Sequence, residues 1–322
     1  MIKIGIVGCG GMGTHHAKVL AGMEGVRVVG VCDTIREKAD KLAHLVGTES
    51  YTTYHDLLPE IDAAWICTPP SHRCDVVLAC AQERKDIFAE KPLALNLDEA
   101  DQMIRATREA GVKFMIGYVL RYTQPYKYLH DVLALGKLGR LVNCWTRRYM
   151  PIDMTNRWYG DQAKSGGVLL DFGCHDMDLL YWLGGAVRTV FARFDRVRDT
   201  IRADEHAQVL MAFAKGGMAT TDVSWSAYLS ESSIGVTGSN GTVILDRTGT
   251  VRQKINGSDE EVVDTAKVDA GAEPNETLHA HFVRCIEQDI DPLTSGEQAR
   301  DVLAIILAAQ ESGRTGVSVD LD

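Results

Sequence analysis

Residues Met1–Gly13 read M-I-K-I-G-I-V-G-C-G-G-M-G. Ile2, Ile4, Ile6 and Val7 form an apolar run of strand length, and Gly8, Gly10 and Gly13 then give G-x-G-x-x-G where a helix is due to begin. Gly8 permits the tight turn out of the strand, Gly10 lets backbone approach a pyrophosphate, and Gly13 lets the new helix pack close against the sheet. Unpaired N–H groups at the helix start would face the phosphates, and Gly11 and Met12, in the same turn, are expected to contact them. A glycine-rich turn alone can also be only a tight connection, so the surroundings decide.

The next apolar run, Val26–Cys32, ends in Asp33, twenty residues beyond Gly13. An acidic residue at that distance is where the ribose hydroxyls of NAD are held; the plain alternative is a solvated strand-end residue or the N-cap of a helix over 34–46. Strand, glycines and spacing together favour the dinucleotide. Asp33 would repel a 2′-phosphate and so points to NAD. Arg36, within reach of the same place, leaves NADP open as a second cofactor.

Outward from this stretch, strand-like and helix-like segments alternate to about Tyr118, the pattern of βαβ units on a parallel sheet. Strands are expected near 2–7, 26–32, 62–67, 86–89 and 113–117, and helices near 11–22, 34–46, 72–84 and 96–110. Three segments fall just past strand ends: Thr68-Pro69-Pro70-Ser71-His72, Glu90-Lys91-Pro92, and Gly117-Tyr118-Val119-Leu120-Arg121-Tyr122. In an open α/β sheet, ligands bind outside the carboxyl ends of the strands. The glycine turn and all three segments are therefore expected at one crevice.

After about Arg121 the character changes. A helix near 123–135 and a strand near 140–149 lead to an irregular stretch, 150–164, that carries Asp153, Arg157, Trp158 and Tyr159. A helix over 165–183 is expected next, then β-like runs near 187–197, 206–214, 217–226, 232–237, 242–246 and 250–255, and helices near 274–288 and 296–313. The fold class is thus α/β at the N-terminus, with a dinucleotide-binding domain over 1–120, and α+β over 121–322, with a largely antiparallel open sheet.

Composition narrows the partners. The 322 residues suit two domains, and 45% hydrophobic residues suffice for sizeable cores. The net charge is −10 with no basic tract, which argues against nucleic acid and anionic membranes. The eight cysteines show neither C-x-x-C nor a zinc spacing, so no metal site is expected, and they read as buried hydrophobes of a reducing compartment. Residue 2 already enters a strand and no apolar stretch approaches spanning length, which makes the cytoplasm the expected location.

Within the helix expected over 165–183, Asp171, His175 and Asp178 stand at i, i+4 and i+7, on one side of a continuous helix amid apolar residues. Buried carboxylates and imidazole need partners. A structural Asp–His pair is one outcome; metal ligation ranks low, since no matching segment stands out; an acid/base pair, with Asp171 fixing the His175 tautomer or holding a hydroxyl, is the functional one. Lys91 alone would be a solvated cation, but between Glu90 and Pro92 at the crevice mouth its backbone is restricted. A pinned ammonium there can donate to a substrate oxygen. His72 is expected at the crevice, in contact with cofactor or substrate. Tyr118, Arg121, Asp153, Arg157, Trp158 and Tyr159 are candidates to line a polyol pocket; Arg121 is equally a candidate for a structural ion pair, and Trp158 for the core. His15 and His16 read as packing or helix-end residues, and His279 and His281, two apart, face different ways.

Taken in order, Gly8-x-Gly10-x-x-Gly13, Asp33, Thr68–His72, Glu90-Lys91-Pro92, Arg121-Tyr122 and Gly166-Gly167-Val168-Leu169-Leu170-Asp171-x-Gly173-x-His175-x-x-Asp178 resemble the Gfo/Idh/MocA family of sugar and inositol dehydrogenases. The resemblance implies a Rossmann domain holding NAD, with Thr68, Pro69, Pro70, His72, Glu90 and Lys91 beside the cofactor. It also implies a second domain whose sheet forms homodimer or homotetramer contacts. The family's catalytic lysine falls on Lys91 and its aspartate and histidine on Asp171 and His175; the histidine receives the hydroxyl proton. The family's Lys-Pro bond is often cis. The same scaffold also supports NAD-dependent glycoside hydrolysis and non-enzymatic sugar-sensing regulators, the latter disfavoured because Lys91, Asp171 and His175 are all present.

Overall fold

The computed structural model describes residues 1–154, 157–267 and 276–321. Residues 155 and 156 of the expected irregular stretch, and 274 and 275 of the expected helix over 274–288, lie outside them.

The first sheet has six parallel strands: β1 (Ile2–Val7), β2 (Val26–Cys32), β3 (Glu49–Tyr51), β4 (Ala63–Ile66), β5 (Asp86–Ala89) and β6 (Phe114–Ile116), in the order β3-β2-β1-β4-β5-β6. Ile4, Ile6, Val31, Trp65, Ile66, Ile87 and Phe88 are fully buried in it, as strands covered by helices on both faces must be. The order reverses between β1 and β4, so the ends of those two strands, Gly8 and Cys67, lie side by side at the switch point where a doubly wound sheet binds its ligand. Helices Gly11–Ala21, Arg36–Val46, Cys74–Gln82 and Leu97–Ala110 make the crossovers. Leu97–Ala110 shows why the sequence reads so clearly: Asn96 caps it by accepting from the Glu99 N–H at 2.9 Å, and Gly111 ends it in the left-handed conformation (φ 68°).

The second sheet has nine strands: β7 (Leu141–Tyr149), β8 (Val187–Asp195), β9 (His206–Phe213), β10 (Met218–Ser224), β11 (Glu231–Gly238), β12 (Gly241–Leu245), β13 (Val251–Ile255), β14 (Glu261–Val263) and β15 (Val319–Asp320). Their order is β14-β13-β12-β11-β7-β10-β9-β8-β15. Pairing is antiparallel except between β7 and β10 among the described residues. Short β3, β14 and β15 are absent from the sequence expectations because two or three residues carry no readable period.

The chain forms two compact units, and a single cut at 120/121 does not describe them. The first is Met1–Tyr118 together with Glu276–Asp301; the second begins at Val119 and resumes at Val302. The physical tie is at the β6 edge: the Ile116 N–H donates to the Thr294 carbonyl at 2.8 Å, and the Thr294 hydroxyl donates back to the Ile116 carbonyl at 2.7 Å. All eight cysteines are free thiols.

Candidate active site

In the first unit the turn after β1 shows what each glycine does. Gly8 sits at φ 101°, and a Cβ there would lie 2.8 Å from the Cys67 carbonyl carbon. A Cβ at Gly13 would lie 1.8 Å from the Gly8 carbonyl oxygen, so the helix rests directly on the turn. At Gly10 and Gly11, by contrast, a Cβ would meet nothing within 4 Å. No side chain caps the helix at Gly10, which leaves its first N–H groups available to an anion.

Asp33 is tied to this turn. Its Oδ2 accepts from the Cys9 N–H and its Oδ1 from the Ile35 N–H, each at 2.9 Å. The following helix starts at Arg36 with Ile35 at the N-cap, so Asp33 is not that helix's cap. Arg36 is exposed, donating to Thr52 Oγ1 at 3.3 Å and pairing with Asp40 at 3.8 Å. Beside Gly8, the Thr68 Oγ1 is buried with no hydrogen-bond partner among the described residues. An open backbone cradle, an uncapped helix start, an orphaned hydroxyl and a carboxylate in one turn fit a dinucleotide. Gly8–Gly13 would hold its pyrophosphate and Asp33 its ribose.

Past β4, Pro69 leads into a 3-10 turn, Pro70–His72, with Pro70 buried and His72 exposed. Arg73 follows, and sequence reasoning missed it: its side chain is buried, donating to the Thr68 carbonyl at 2.8 Å and to the carbonyls of Pro92 and Leu93. Nothing in the sequence separates Arg73 from an ordinary solvated cation. The Lys91–Pro92 bond it grips is cis. Glu90 is buried with both oxygens engaged, Oε1 by the His16 Nε2 at 2.8 Å and Oε2 by the Lys91 backbone N–H at 3.1 Å. Burial opposes its charge, but the His16 hydrogen bond and the nearby Lys91 and Arg73 cations hold its carboxyl below the usual range. Lys91 is half-buried, and Tyr118, at the end of this segment, is buried.

In the second unit the expected continuous helix over 165–183 is three short ones, Gln162–Ser165, Gly167–Asp171 and Cys174–Gly184. Gly166 and Gly167 take left-handed φ values of 74° and 83°, which end one helix and begin another. The Phe172 and Gly173 N–H groups both donate to the Val168 carbonyl, at 3.0 and 2.8 Å, and close the turn that separates Asp171 from His175. The i, i+4, i+7 stripe therefore does not exist as a stripe. Asp171 ends one helix, half-buried; His175 is the second residue of the next, half-buried.

Asp178 is removed from the chemistry by Arg121. Arg121 Nε and Nη2 donate to Asp178 Oδ2 and Oδ1 at 2.9 and 2.6 Å, with both side chains 1% exposed. Burial pushes the Asp178 carboxyl up while the guanidinium pulls it back. The guanidinium also lies 5.4 Å over the Trp182 ring, against which His130 stacks at 3.8 Å. Arg121 thus makes the structural ion pair that was one of its two expected roles. Asp153, Arg157 and Trp158 are exposed, so Trp158 is not core, and Arg157 donates to the Tyr159 hydroxyl.

Residues 2–118 match the family described as an oxidoreductase family with an NAD-binding Rossmann fold, and residues 126–244 match the GFO/IDH/MocA C-terminal domain. The chain belongs to the GFO/IDH/MocA family. It is 28% identical to myo-inositol 2-dehydrogenase of Thermotoga maritima, over 100% of this chain and 99% of that protein. It is 26% identical to the NAD(+)-dependent scyllo-inositol 2-dehydrogenase of Bacillus subtilis, over 100% and 96%. Among solved structures it resembles a probable dehydrogenase from Thermotoga maritima (TM-score 0.84, 26% identity, 99% of this chain and 98% of that one). It shares the fold of an Agrobacterium radiobacter oxidoreductase (TM-score 0.90, 21% identity, 99% and 98%). This GFO/IDH/MocA chain is a nicotinamide-dependent dehydrogenase whose first unit takes NAD.

Proposed function

We propose that the protein oxidises a secondary hydroxyl of a cyclic polyol or sugar, an inositol or a pyranose, with NAD as hydride acceptor. The observation that carries this is the end-to-end match to two inositol 2-dehydrogenases; the resemblance of the Glu90-Lys91-Pro92 and Asp171-x-Gly173-x-His175 segments to the family's motifs is what assigns roles to Lys91, Asp171 and His175. NAD, when bound, supplies the acceptor for the hydride leaving the carbinol carbon. His175 takes the hydroxyl proton, Asp171 orients that imidazole or the hydroxyl, and the Lys91 ammonium stabilises the negative charge developing on oxygen. The oxygen keeps its electron pair as a carbonyl forms.

A panel of inositols, aldoses and anhydro-sugars, read by NADH absorbance, tests the substrate class. Net NADH with a free polyol is the expected result. Sugar released from a glycoside without net NADH identifies the hydrolase alternative. Asp33, with its oxygens fixed beside Cys9 and Ile35, favours NAD over NADP. His72, Pro69, Pro70 and Met12 are assigned to cofactor contact on the same basis of position.

We assign the protein to the cytoplasm as a homodimer or homotetramer. Free thiols suit a reducing compartment, and no helix among the described residues is long and apolar enough to cross a membrane. On the second sheet, register places Phe191, Leu210, Thr220 and Trp145 in one row across β8, β9, β10 and β7, with Leu210 47% exposed. A row of this kind suits a second copy of the chain. Leu210→Glu, followed by sedimentation, is expected to shift the assembly toward monomer.

A further inference from the structure

We propose that His16, acting through Glu90, is a positioning residue for Lys91, so that a pair buried beneath the turn sets where the reactive ammonium stands. This rests on the assignment of Lys91 to the reaction. Four groups lie in line within the first unit. His279 Nε2 is 2.7 Å from His16 Nδ1, His16 Nε2 is 2.8 Å from Glu90 Oε1, and Glu90 Oε2 accepts from the Lys91 backbone N–H at 3.1 Å. His16, Glu90 and His279 are 3%, 7% and 7% exposed.

Chemistry fixes the direction of the line. An ionised carboxylate only accepts, so the His16 Nε2 must carry the proton that Glu90 receives. A buried carboxylate is costly unless fully bonded. Here one oxygen is satisfied by an imidazole that does nothing else on that side, and the other by the amide of Lys91 itself. Apolar residues would fill the same space at lower cost, which makes the location of the charge the informative feature.

The imidazoles have little freedom to give way. The Phe88 ring meets His16 edge-on at 5.2 Å, and Trp65 lies parallel to His279 at 6.1 Å. From the other side Arg73 holds the Pro92 and Leu93 carbonyls and, at 2.8 Å, that of Thr68. The backbone on both sides of the cis bond is therefore held by a buried carboxylate at the amide of Lys91 and a buried guanidinium at the carbonyls that follow. An ångström of misplacement of a catalytic group can cost on the order of a hundredfold in rate.

The test compares Glu90→Gln, His16→Leu and His16→Gln, alone and with Lys91→Ala, in the full-length protein. Three readouts are taken: kcat and KM with myo-inositol and NAD, NADH affinity by fluorescence, and the rate at which acetic anhydride acylates Lys91, followed by peptide mass spectrometry. The last needs no substrate. Glu90→Gln and His16→Leu are expected to lower kcat by about tenfold or more while NADH affinity stays within about threefold, and to change Lys91 acylation by about threefold or more. His16→Gln, which keeps a donor near the Nε2 position, is expected to recover most of both, and serves if His16→Leu fails to fold. In the Lys91→Ala background, Glu90→Gln is expected to cost nothing further. Losses that add in that background, or unchanged Lys91 acylation, overturn the inference. Full kcat in Lys91→Ala instead overturns the assignment of Lys91 to the reaction, and the acylation rates still decide whether His16 and Glu90 position it.

Discussion

Asp33, Asp178 and His279 are each a single polar side chain whose role is set by what the fold puts beside it. Asp33 was legible, because a fixed spacing from a glycine turn places it at a strand end; Asp33→Ser is expected to lower kcat/KM with NAD and to raise it with NADP, and a strong NADP preference in the parent would contradict the cofactor assignment. Asp178 was not legible, because its partner Arg121 stands 57 residues away and no local pattern joins them. Asp178→Asn removes the carboxylate charge that faces the buried Arg121 guanidinium, and thermal unfolding is expected to show a loss of about 3–5 kcal/mol. His279 carries a pH dependence: burial first, and then the neighbouring His16 and His15, push its pKa from 6.5 to about 4. A folded value below the unfolded one means that stability is present above pH 6.5 and is lost as pH falls toward 4, on the order of 3 kcal/mol. His279→Gln is expected to flatten that part of the stability–pH curve; an unchanged slope would count against the buried neutral imidazole.

Among elements, the first strand and its turn were readable from the sequence, since Gly8 and Gly13 each have a local steric reason, while Gly10 has none and is left to the cofactor proposal. That allows two substitutions to be separated. Gly13→Ala places a methyl group 1.8 Å from the Gly8 carbonyl oxygen, so both the thermal midpoint and NADH affinity are expected to fall. Gly10→Ala meets nothing within 4 Å and is expected to keep the midpoint while weakening NADH binding by about tenfold, because the methyl group enters the space a pyrophosphate needs; equal NADH affinity in Gly10→Ala would contradict the cradle. The broken helix around Asp171 was misread for a physical reason. Leu169, Leu170, Leu179 and Leu180 keep a helical spacing across the break, while Gly166, Gly167 and Gly173, which mark its turns, also fit a family motif and do not by themselves signal a break. The apolar period outvoted the punctuation.

For the molecule as a whole, the two sheets and the family were legible because alternation of strands and helices, and then a meander, are long patterns. The return of Glu276–Asp301 to the first unit was not, since it depends on pairing across more than a hundred residues, as Ile116 with Thr294 shows. His279 comes from this returning segment, which is why its contact with His16 leaves no trace in the local sequence. The central claim, that the chain oxidises a cyclic polyol or sugar hydroxyl with His175 as base and Lys91 as its electrostatic partner, is tested most directly by NADH formation across the polyol panel for the parent, His175→Ala and Lys91→Ala. The parent is expected to form NADH with a cyclic polyol or sugar, and each variant to lose about a hundredfold or more in kcat with NADH affinity unchanged. Full kcat in both variants, or turnover of a glycoside without net NADH, would contradict it.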